Sequence, residues 1–303
     1  MRAIFGKLKY AFGLAIGMLI CRLHLLRKYK FHLLSSWRLE EKRKGLDNLF
    51  YRALRLYWFR FQYLSEKDPD KRELLKETPM EGGGRRWAEY YDNQPLDFKA
   101  KVGHLTYNEA CPLLSKLDKI LSSTTEPLLV VQVGSSSGRE IAWLAGRNRI
   151  HTYIGTDIYP EVLAYSSKHH HLSNLSFERY SAKEISNLLN RYKGQRIIVF
   201  SSGSLQYVQP EHVEIFFDSI SCIPKLQIIL LEPANESEGN PEKVKGSLWR
   251  GDFSYTHNYR FYAEKGGLIT QTCEILRPYF PYENFPIHRN TVHYFYGGRS
   301  LIY

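Results

Sequence analysis

Short segments with strand-like patterns recur at regular intervals along the second half of the chain, and the first of them, 128–134, is a continuous apolar run. Such a run is typical of a strand buried on both faces of a parallel sheet, because no face of the strand meets water. The predicted strands cover residues 128–134, 151–157, 175–181, 196–202 and 226–233.

Helical patterns separate these strands. They pass through Ile141 to Ala145, begin at Pro160, cover about 183–192 and extend from Pro210 to Ile220. Strict alternation of strands and helices predicts right-handed crossovers and an open parallel sheet covered on both faces. The expected fold class is therefore α/β, with a doubly wound and mostly parallel sheet.

The two ends of this region differ from its middle. Residues 87–125 have a mixed helical pattern. After a predicted helix near 257–266, the segments 268–279 and 291–299 are two strands without a helix between them. They predict an antiparallel C-terminal hairpin, which the usual dinucleotide dehydrogenase layout lacks.

The N-terminal region has a different pattern. Residues 11–21 form an apolar stretch that is too short for a comfortable membrane span, and residues 46–64 carry a helical apolar stripe. The three glycines within 81–86 suit a boundary. We therefore predict a helical, basic and aromatic-rich extension over 1–80, a linker and helical cap over 81–127, and the α/β domain over 128–303.

Charge is distributed unevenly along the chain. The formal net charge is +11, and residues 1–60 alone hold 14 Lys and Arg against three acids, whereas the remainder is balanced. A balanced main domain gives no support to a nucleic-acid-binding core. Cationic residues interleaved with aromatic rings are typical of segments at an anionic membrane surface.

Three interpretations of residues 1–60 stay open. The first is a peripheral or re-entrant membrane anchor on the cytoplasmic face, the second a helical extension packed on the main domain, and the third a single-strand nucleic-acid arm. A cytoplasmic main domain is expected in each case. The four cysteines have no metal-ligand spacing and are interpreted as free thiols, and His169 to His171 as a solvated helix end, so no metal site is predicted.

A Gly/Ser-rich loop, VQVGSSSGRE at 131–140, joins the first strand to the next helix. Gly134 permits a tight turn, and Gly138 lets the backbone approach a ligand at the helix N-terminus, where unpaired N–H groups favour an anionic group. Asp157 ends the second strand, where a carboxylate accepts hydrogen bonds from ribose hydroxyls.

The segment 128–303 resembles the class I S-adenosylmethionine-dependent methyltransferases, which have a Rossmann-like sheet. The resemblance implies a seven-stranded sheet whose last strand is inserted antiparallel beside the sixth, and S-adenosyl-L-methionine as the cofactor. The family pattern acid-x-Gly-x-Gly-x-Gly has Gln132 at the acid and Ser136 at the middle glycine here, and keeps Gly134 and Gly138.

Further cofactor contacts follow from the resemblance. Ile158 would pack on the adenine, and Ser181 stands where the family often has an acid for the adenine amino group. Ser201, Ser202 and Gly203 would lie under the sulfonium, and Glu232 and Pro233 close the fifth strand at the same edge. For Ser181 the alternative is an ordinary strand end, and for Glu232 with Pro233 it is a turn with a solvated acid.

Methyl transfer to a hydroxyl needs a base for the departing proton. The candidates are His257 and Tyr255, followed by His104 and Tyr107; a structural histidine is the alternative for His257. The leading hypothesis is methyl transfer to a small-molecule, sugar or lipid-linked acceptor, near the membrane surface. A nucleotide-binding oxidoreductase and a non-catalytic methyltransferase-like adaptor are the alternatives.

Overall fold

The structure is a computed structural model, and the fold is built from the parts of the chain that it describes. These are residues 15, 66–72, 88–89, 92, 99–102, 105–110, 112–233, 246–251, 254–276 and 292–298. The predicted apolar stretch 11–21, apart from Ala15, and the predicted stripe 46–64 lie outside these residues. The chain divides into two compact units, Met1–Glu81 with Gly251–Phe253, and Gly82–Arg250 with Ser254–Tyr303.

Eleven strands are described in the order of the chain. They are β1 (Lys99–Val102), β2 (Leu105–Ala110), β3 (Leu128–Val133), β4 (Thr152–Asp157), β5 (Leu175–Arg179), β6 (Arg196–Ser202), β7 (Leu226–Pro233), β8 (Ser247–Gly251), β9 (Ser254–His257), β10 (Ile269–Leu276) and β11 (Val292–Gly298).

Among the described residues, six α-helices with defined bounds connect or flank these strands. They are α1 (Pro112–Ser123), α2 (Arg139–Arg147), α3 (Pro160–His169), α4 (Ile185–Asn190), α5 (Pro210–Ser221) and α6 (Tyr259–Lys265). Short 3-10 turns cover Ala182–Glu184 and Leu205–Tyr207.

The main sheet has seven strands in the order β10-β11-β7-β6-β3-β4-β5. Strands β3 to β7 pair in parallel, and β11 is antiparallel to both β7 and β10. The predicted doubly wound sheet and its antiparallel C-terminal pair are therefore confirmed.

The core lies on both faces of this sheet. Every residue of β3 and of β7 is buried, as their unbroken apolar pattern predicts. Leu129, Val131 and Val133 face one apolar cluster, whereas Leu128 and Val130 face the other, because successive side chains of a strand point to opposite faces. Gln132 therefore lies on the Leu128 face, which α2 covers.

Two strand pairs were not predicted from the sequence. The region 87–125, predicted as mixed and helical, contains the antiparallel pair β1 and β2 as well as α1, which begins at Pro112. The helix predicted near 257–266 begins at Tyr259 and is preceded by β9, which pairs with β8. In both places β-branched and aromatic residues suit a strand, and pairing with a neighbouring segment decides the outcome.

In the portion that the structure describes, no helix has the length and apolar character needed to cross a membrane. The same portion contains no cluster of three or more His, Cys, Asp or Glu residues suited to a metal ion.

Candidate functional site

The loop between β3 and α2 is positioned by the carboxyl ends of the neighbouring strands. The Ser135 N–H donates to the Thr156 carbonyl at 2.8 Å, and the Ser136 N–H donates to Asp157 Oδ2 at 3.2 Å. Within the loop, the Gly138 N–H donates to the Ser135 carbonyl at 2.8 Å. The two features predicted to bind a nucleoside, the loop and Asp157, are thus joined directly.

Left-handed backbone conformations shape this loop. Gly134, Ser136 and Gly138 have φ values of 69°, 50° and 75°. A Cβ at Gly138 would lie 2.5 Å from Phe177 Cζ, so this glycine also allows α2 to pack against β5. Ser136 occupies the family's middle glycine position, where it adopts the conformation that favours glycine.

Two side chains of α3 and its C-terminal end hold the outer side of the loop. The Ser166 hydroxyl donates to the Ser136 carbonyl at 2.7 Å, and His170 Nε2 donates to the Ser137 carbonyl at 2.8 Å. His169 is exposed and stacks on Tyr165, which fits the predicted solvated helix end. His170 departs from that prediction because it binds the loop, and its place in a triple-histidine run gave no signal of this contact.

The carboxylate of Asp157 is half-buried and accepts backbone hydrogen bonds with both of its oxygens. Oδ1 accepts the Tyr159 N–H at 3.2 Å, opposite the Ser136 N–H on Oδ2. Burial raises the pKa of Asp157 to about 6, and the backbone hydrogen bonds counteract part of that rise. Ile158 is adjacent and partly exposed at the same edge of the sheet.

Gln132 contacts a carboxylate that the sequence analysis did not include. Its Nε2 donates to Glu140 Oε2 at 2.7 Å, and Gln132 is 2% exposed. Burial raises the pKa of Glu140, while the hydrogen bond from Gln132 and the charge of Arg139 act in the opposite direction. Glu140 is the acid in the first turn of α2, but that position alone does not identify Gln132 as its partner.

Three buried oxygen atoms of this region have no hydrogen-bond partner among the described residues. They are Gln132 Oε1, Ser135 Oγ and Ser136 Oγ. Buried polar atoms are usually paired, since leaving one unpaired costs about 1–3 kcal/mol. The loop therefore has the polar atoms needed to hold a polar ligand.

Glu232, at the end of β7, organises the turn that follows β6. It is fully buried, and Oε1 accepts hydrogen bonds from the Ser201 hydroxyl at 2.7 Å and from the N–H groups of Ser204 and Leu205 at 2.9 and 3.1 Å. Burial raises the pKa of Glu232 to about 7. The alternative of a solvated acid at a turn is therefore wrong for Glu232, while Pro233 lies buried beside it.

The other predicted residues lie at the end of β6 and at the start of the turn that follows it. The Ser201 hydroxyl also contacts the Val133 carbonyl at 3.1 Å, Ser202 is partly exposed, and the Gly203 N–H donates to the Leu231 carbonyl. Ser204, which the sequence analysis did not single out, donates its hydroxyl to the Gly134 carbonyl at 3.0 Å. The turn after β6 and the loop after β3 are thus directly connected.

Ser181 caps the 3-10 turn that follows β5. Its hydroxyl donates to Glu184 Oε2 at 2.5 Å, and its N–H donates to the same oxygen. These hydrogen bonds lower the pKa of Glu184. The local contacts of Ser181 match the strand-end alternative, and its predicted adenine contact stays a prediction.

His257 and Tyr255 lie beneath the turn after β6. His257 is fully buried, with Nε2 donating to the Leu205 carbonyl at 3.1 Å and Nδ1 accepting from the Ser247 hydroxyl at 2.6 Å. The Tyr255 hydroxyl donates to Gln209 Oε1 at 3.2 Å. Both nitrogens of His257 are therefore engaged within the protein, which corresponds to the structural alternative.

For the remaining candidate bases, Tyr107 and His104, the side chains lie outside the described part of the structure. Tyr107 belongs to β2, which is described by its backbone, and His104 lies outside the described residues.

Comparison with known proteins gives matches in structure. No protein-family model matches the chain, and no curated protein matches it in sequence. Many solved structures match it, and several of these are methyltransferases, three of which follow.

The magnesium protoporphyrin IX methyltransferase of Synechocystis PCC 6803, with bound S-adenosylhomocysteine, is 14% identical with a TM-score of 0.48. The match covers 75% of this chain and 99% of that one. The 1,6-didemethyltoxoflavin-N1-methyltransferase of Burkholderia thailandensis is 10% identical with a TM-score of 0.49, over 77% of this chain and 92% of that one. A TehB-like methyltransferase of Corynebacterium glutamicum is 13% identical with a TM-score of 0.41, over 72% and 97%.

The order and direction of the strands identify the fold independently of these similarities. Numbering the strands of the main sheet along the chain gives 6-7-5-4-1-2-3, with the seventh strand antiparallel between the fifth and the sixth. This is the arrangement that the resemblance implied. The chain therefore has the fold of the class I S-adenosylmethionine-dependent methyltransferases.

Proposed function

We propose that the protein is an S-adenosylmethionine-dependent methyltransferase. The observation that carries the proposal is the hydrogen bond from the Ser136 N–H to Asp157, which joins the Gly/Ser loop to the acid that ends β4. In open α/β sheets, ligands bind at this carboxyl edge, and an acid in this place accepts hydrogen bonds from ribose hydroxyls. The unpartnered oxygens of Gln132, Ser135 and Ser136 support a polar ligand at the same loop.

The chain's own contribution to the reaction would be binding and orientation. Bound S-adenosylmethionine supplies a methyl group that is already activated as a sulfonium. Asp157 would hold the ribose, and the N-terminal end of α2 would hold the carboxylate of the amino-acid part. The turn after β6, fixed by Glu232, would border the position of the acceptor and exclude water from it.

Binding of S-adenosylmethionine and S-adenosylhomocysteine to the full chain, measured by calorimetry, tests the proposal. We expect micromolar binding by the wild type and a loss of about tenfold or more in Asp157→Asn, which keeps the shape of the side chain and removes its charge. Circular dichroism of both proteins verifies that the variant is folded.

Two results would contradict the proposal. A folded wild type that binds neither ligand would favour the non-catalytic adaptor, and binding of a nicotinamide dinucleotide in place of both would favour the oxidoreductase.

The acceptor is proposed to be a small-molecule, sugar or lipid-linked compound. Ser201 and Ser202 end the fourth parallel strand, Gly203 follows it, and all three residues are small, which leaves room for such an acceptor near the sulfonium. Formation of S-adenosylhomocysteine in the presence of candidate acceptors from these classes is the test, and activity confined to protein or nucleic-acid acceptors would overturn it.

The basic residues 1–60 are proposed to bring the enzyme to an anionic membrane surface. Their 14 Lys and Arg against three acids, together with interleaved aromatic residues, are the basis. We expect the full chain to sediment with vesicles containing phosphatidylglycerol, to be released by high salt, and not to sediment with pure phosphatidylcholine vesicles. Equal binding to both vesicles, or to neither, would contradict this.

A further inference from the structure

Position 132 holds an amide in place of the family's acid, and this amide is bound to a second residue. Gln132 is 2% exposed, and its Nε2 donates to Glu140 Oε2 at 2.7 Å. Its Oε1 has no partner within the described part of the chain. Because both atoms belong to one amide, Oε1 lies beside the Glu140 carboxyl group.

Glu140 is the second residue of α2, eight positions after Gln132, so the helix brings a carboxyl group back to the end of β3. Burial favours the neutral form of this carboxyl group and raises its pKa. A cation bound beside it would favour the charged form, because opposite charges attract strongly where water is excluded.

The two side chains offer a cation a matched set of acceptors. An ammonium group has three N–H donors and no acceptor. Glu140 can accept with its carboxylate and Gln132 with the unpartnered Oε1, while Gln132 Nε2 already donates to Glu140. The amide thus orients the carboxylate and adds an acceptor of its own.

We propose that Gln132 and Glu140 together bind the α-ammonium group of the S-adenosyl ligand, with Glu140 supplying the acid that position 132 lacks. The inference rests on the proposed function and specifies its amino-acid subsite. The carboxylate of the same ligand would lie at the N–H groups at the start of α2, so that the two charges of the amino acid are separated between side chains and backbone.

Two ligands that differ in the amino-acid part test this assignment on the full chain. S-adenosylhomocysteine carries the ammonium group, whereas 5′-methylthioadenosine has the same nucleoside without the amino acid. For Glu140→Gln we expect binding of S-adenosylhomocysteine to weaken by about tenfold or more, with binding of methylthioadenosine unchanged.

Moving the acid from position 140 to position 132 should restore affinity that the single variant Glu140→Gln loses. The double variant Gln132→Glu/Glu140→Gln places the carboxylate at the family's position and should recover most of the affinity that Glu140→Gln loses. Glu211→Gln is the matched control, because Glu211 is likewise the second residue of a helix, α5, and is exposed. It should bind both ligands as the wild type does.

The outcomes separate this inference from the proposed function. If the folded wild type binds neither ligand, the proposed function fails and the inference fails with it. If the wild type binds S-adenosylhomocysteine and Glu140→Gln binds it equally well, the inference alone is overturned. An equal loss of both ligands in Glu140→Gln would also overturn it, since that result indicates a structural role for Glu140.

Discussion

Ser136 adopts a conformation that its side chain disfavours. Its φ of 50° lies in the left-handed region, where a Cβ costs roughly 1 kcal/mol relative to glycine. The conformation is imposed by its backbone, since the N–H is bound to Asp157 and the carbonyl to Ser166. The Ser136 hydroxyl does not offset this cost, since it makes no hydrogen bond among the described residues.

Replacing Ser136 by glycine should therefore stabilise the ligand-free protein. We expect Ser136→Gly to raise the free energy of unfolding by about 0.5–1 kcal/mol, as measured by urea denaturation. Ser135→Gly is the matched control, because Ser135 also has an unpartnered hydroxyl but is not in the left-handed region. That control should be destabilised, and stabilisation of both variants would argue against backbone strain at Ser136.

One buried side chain of strand β7, Glu232, stabilises the turn after β6 by hydrogen bonds. Glu232 connects the end of β7 to Ser201 in β6 and to the N–H groups of Ser204 and Leu205. Because the turn also contacts Gly134 through Ser204, Glu232 indirectly holds the loop after β3.

The pH dependence of stability should reveal this buried carboxyl group. The folded-state pKa of Glu232 is about 7, above its ordinary value, so the folded state binds the proton more tightly than the unfolded state. The contribution of Glu232 to stability is thus full at low pH and is lost as the pH rises towards and through 7. The loss is on the order of 3 kcal/mol.

Glu232→Gln should remove this dependence, because glutamine does not titrate. Comparing the free energy of unfolding of the two proteins at pH 5 and pH 8 isolates Glu232 from other titrating groups such as Asp157. A difference between variant and wild type that stays constant with pH would contradict the assignment. Glu232→Leu should be destabilised at both pH values, since the N–H groups of Ser204 and Leu205 would lose their acceptor.

The main sheet is completed from the C-terminal end of the chain. Strand β11 lies between β7 and β10, so it covers the edge of the parallel strands. Gly298, the last residue of β11, is buried, and a Cβ there would lie 2.3 Å from the Leu226 carbonyl oxygen at the start of β7. The close approach of these two backbones therefore requires a residue without a side chain.

Adding a side chain at this point should weaken the whole domain. We expect Gly298→Val to lower the free energy of unfolding by about 3 kcal/mol or more, with a lower melting temperature in calorimetry. Gly146→Ala in α2 is the control, because a Cβ there meets nothing within 4 Å. It should be neutral or slightly stabilising, as alanine favours a helix by up to about 1 kcal/mol over glycine. Wild-type stability in Gly298→Val would mean that β11 does not pack this tightly.

Much of the main sheet could be predicted because its central strands β3, β6 and β7 are almost entirely buried. Strands β6 and β7 begin and end at the predicted residues, and β5 ends two residues before the predicted bound because Ser181 begins a capped turn. The pairs β1–β2 and β8–β9 were missed because they are short and their stability depends on their partners.

The sequence predicted only some of the residues that contact one another in the candidate site. The contact of Asp157 with the loop follows from the rule that parallel strands end at one edge. The contacts of Glu140, Ser204 and His170 with that loop join residues distant in the chain or on different elements, and no spacing rule encodes them. The interpretation of His257 depends equally on neighbours, since Ser247 and Leu205 engage both of its nitrogens.

The amino-acid pattern is sufficient for the α/β class, the antiparallel C-terminal pair and the location of the Gly/Ser loop, because burial and backbone freedom are local properties of each segment. The tertiary structure decides which polar groups remain unpaired, which carboxyl groups lose contact with water and which histidine is enclosed. Those properties depend on the sum of contacts around an atom, and residues far apart in the chain supply them.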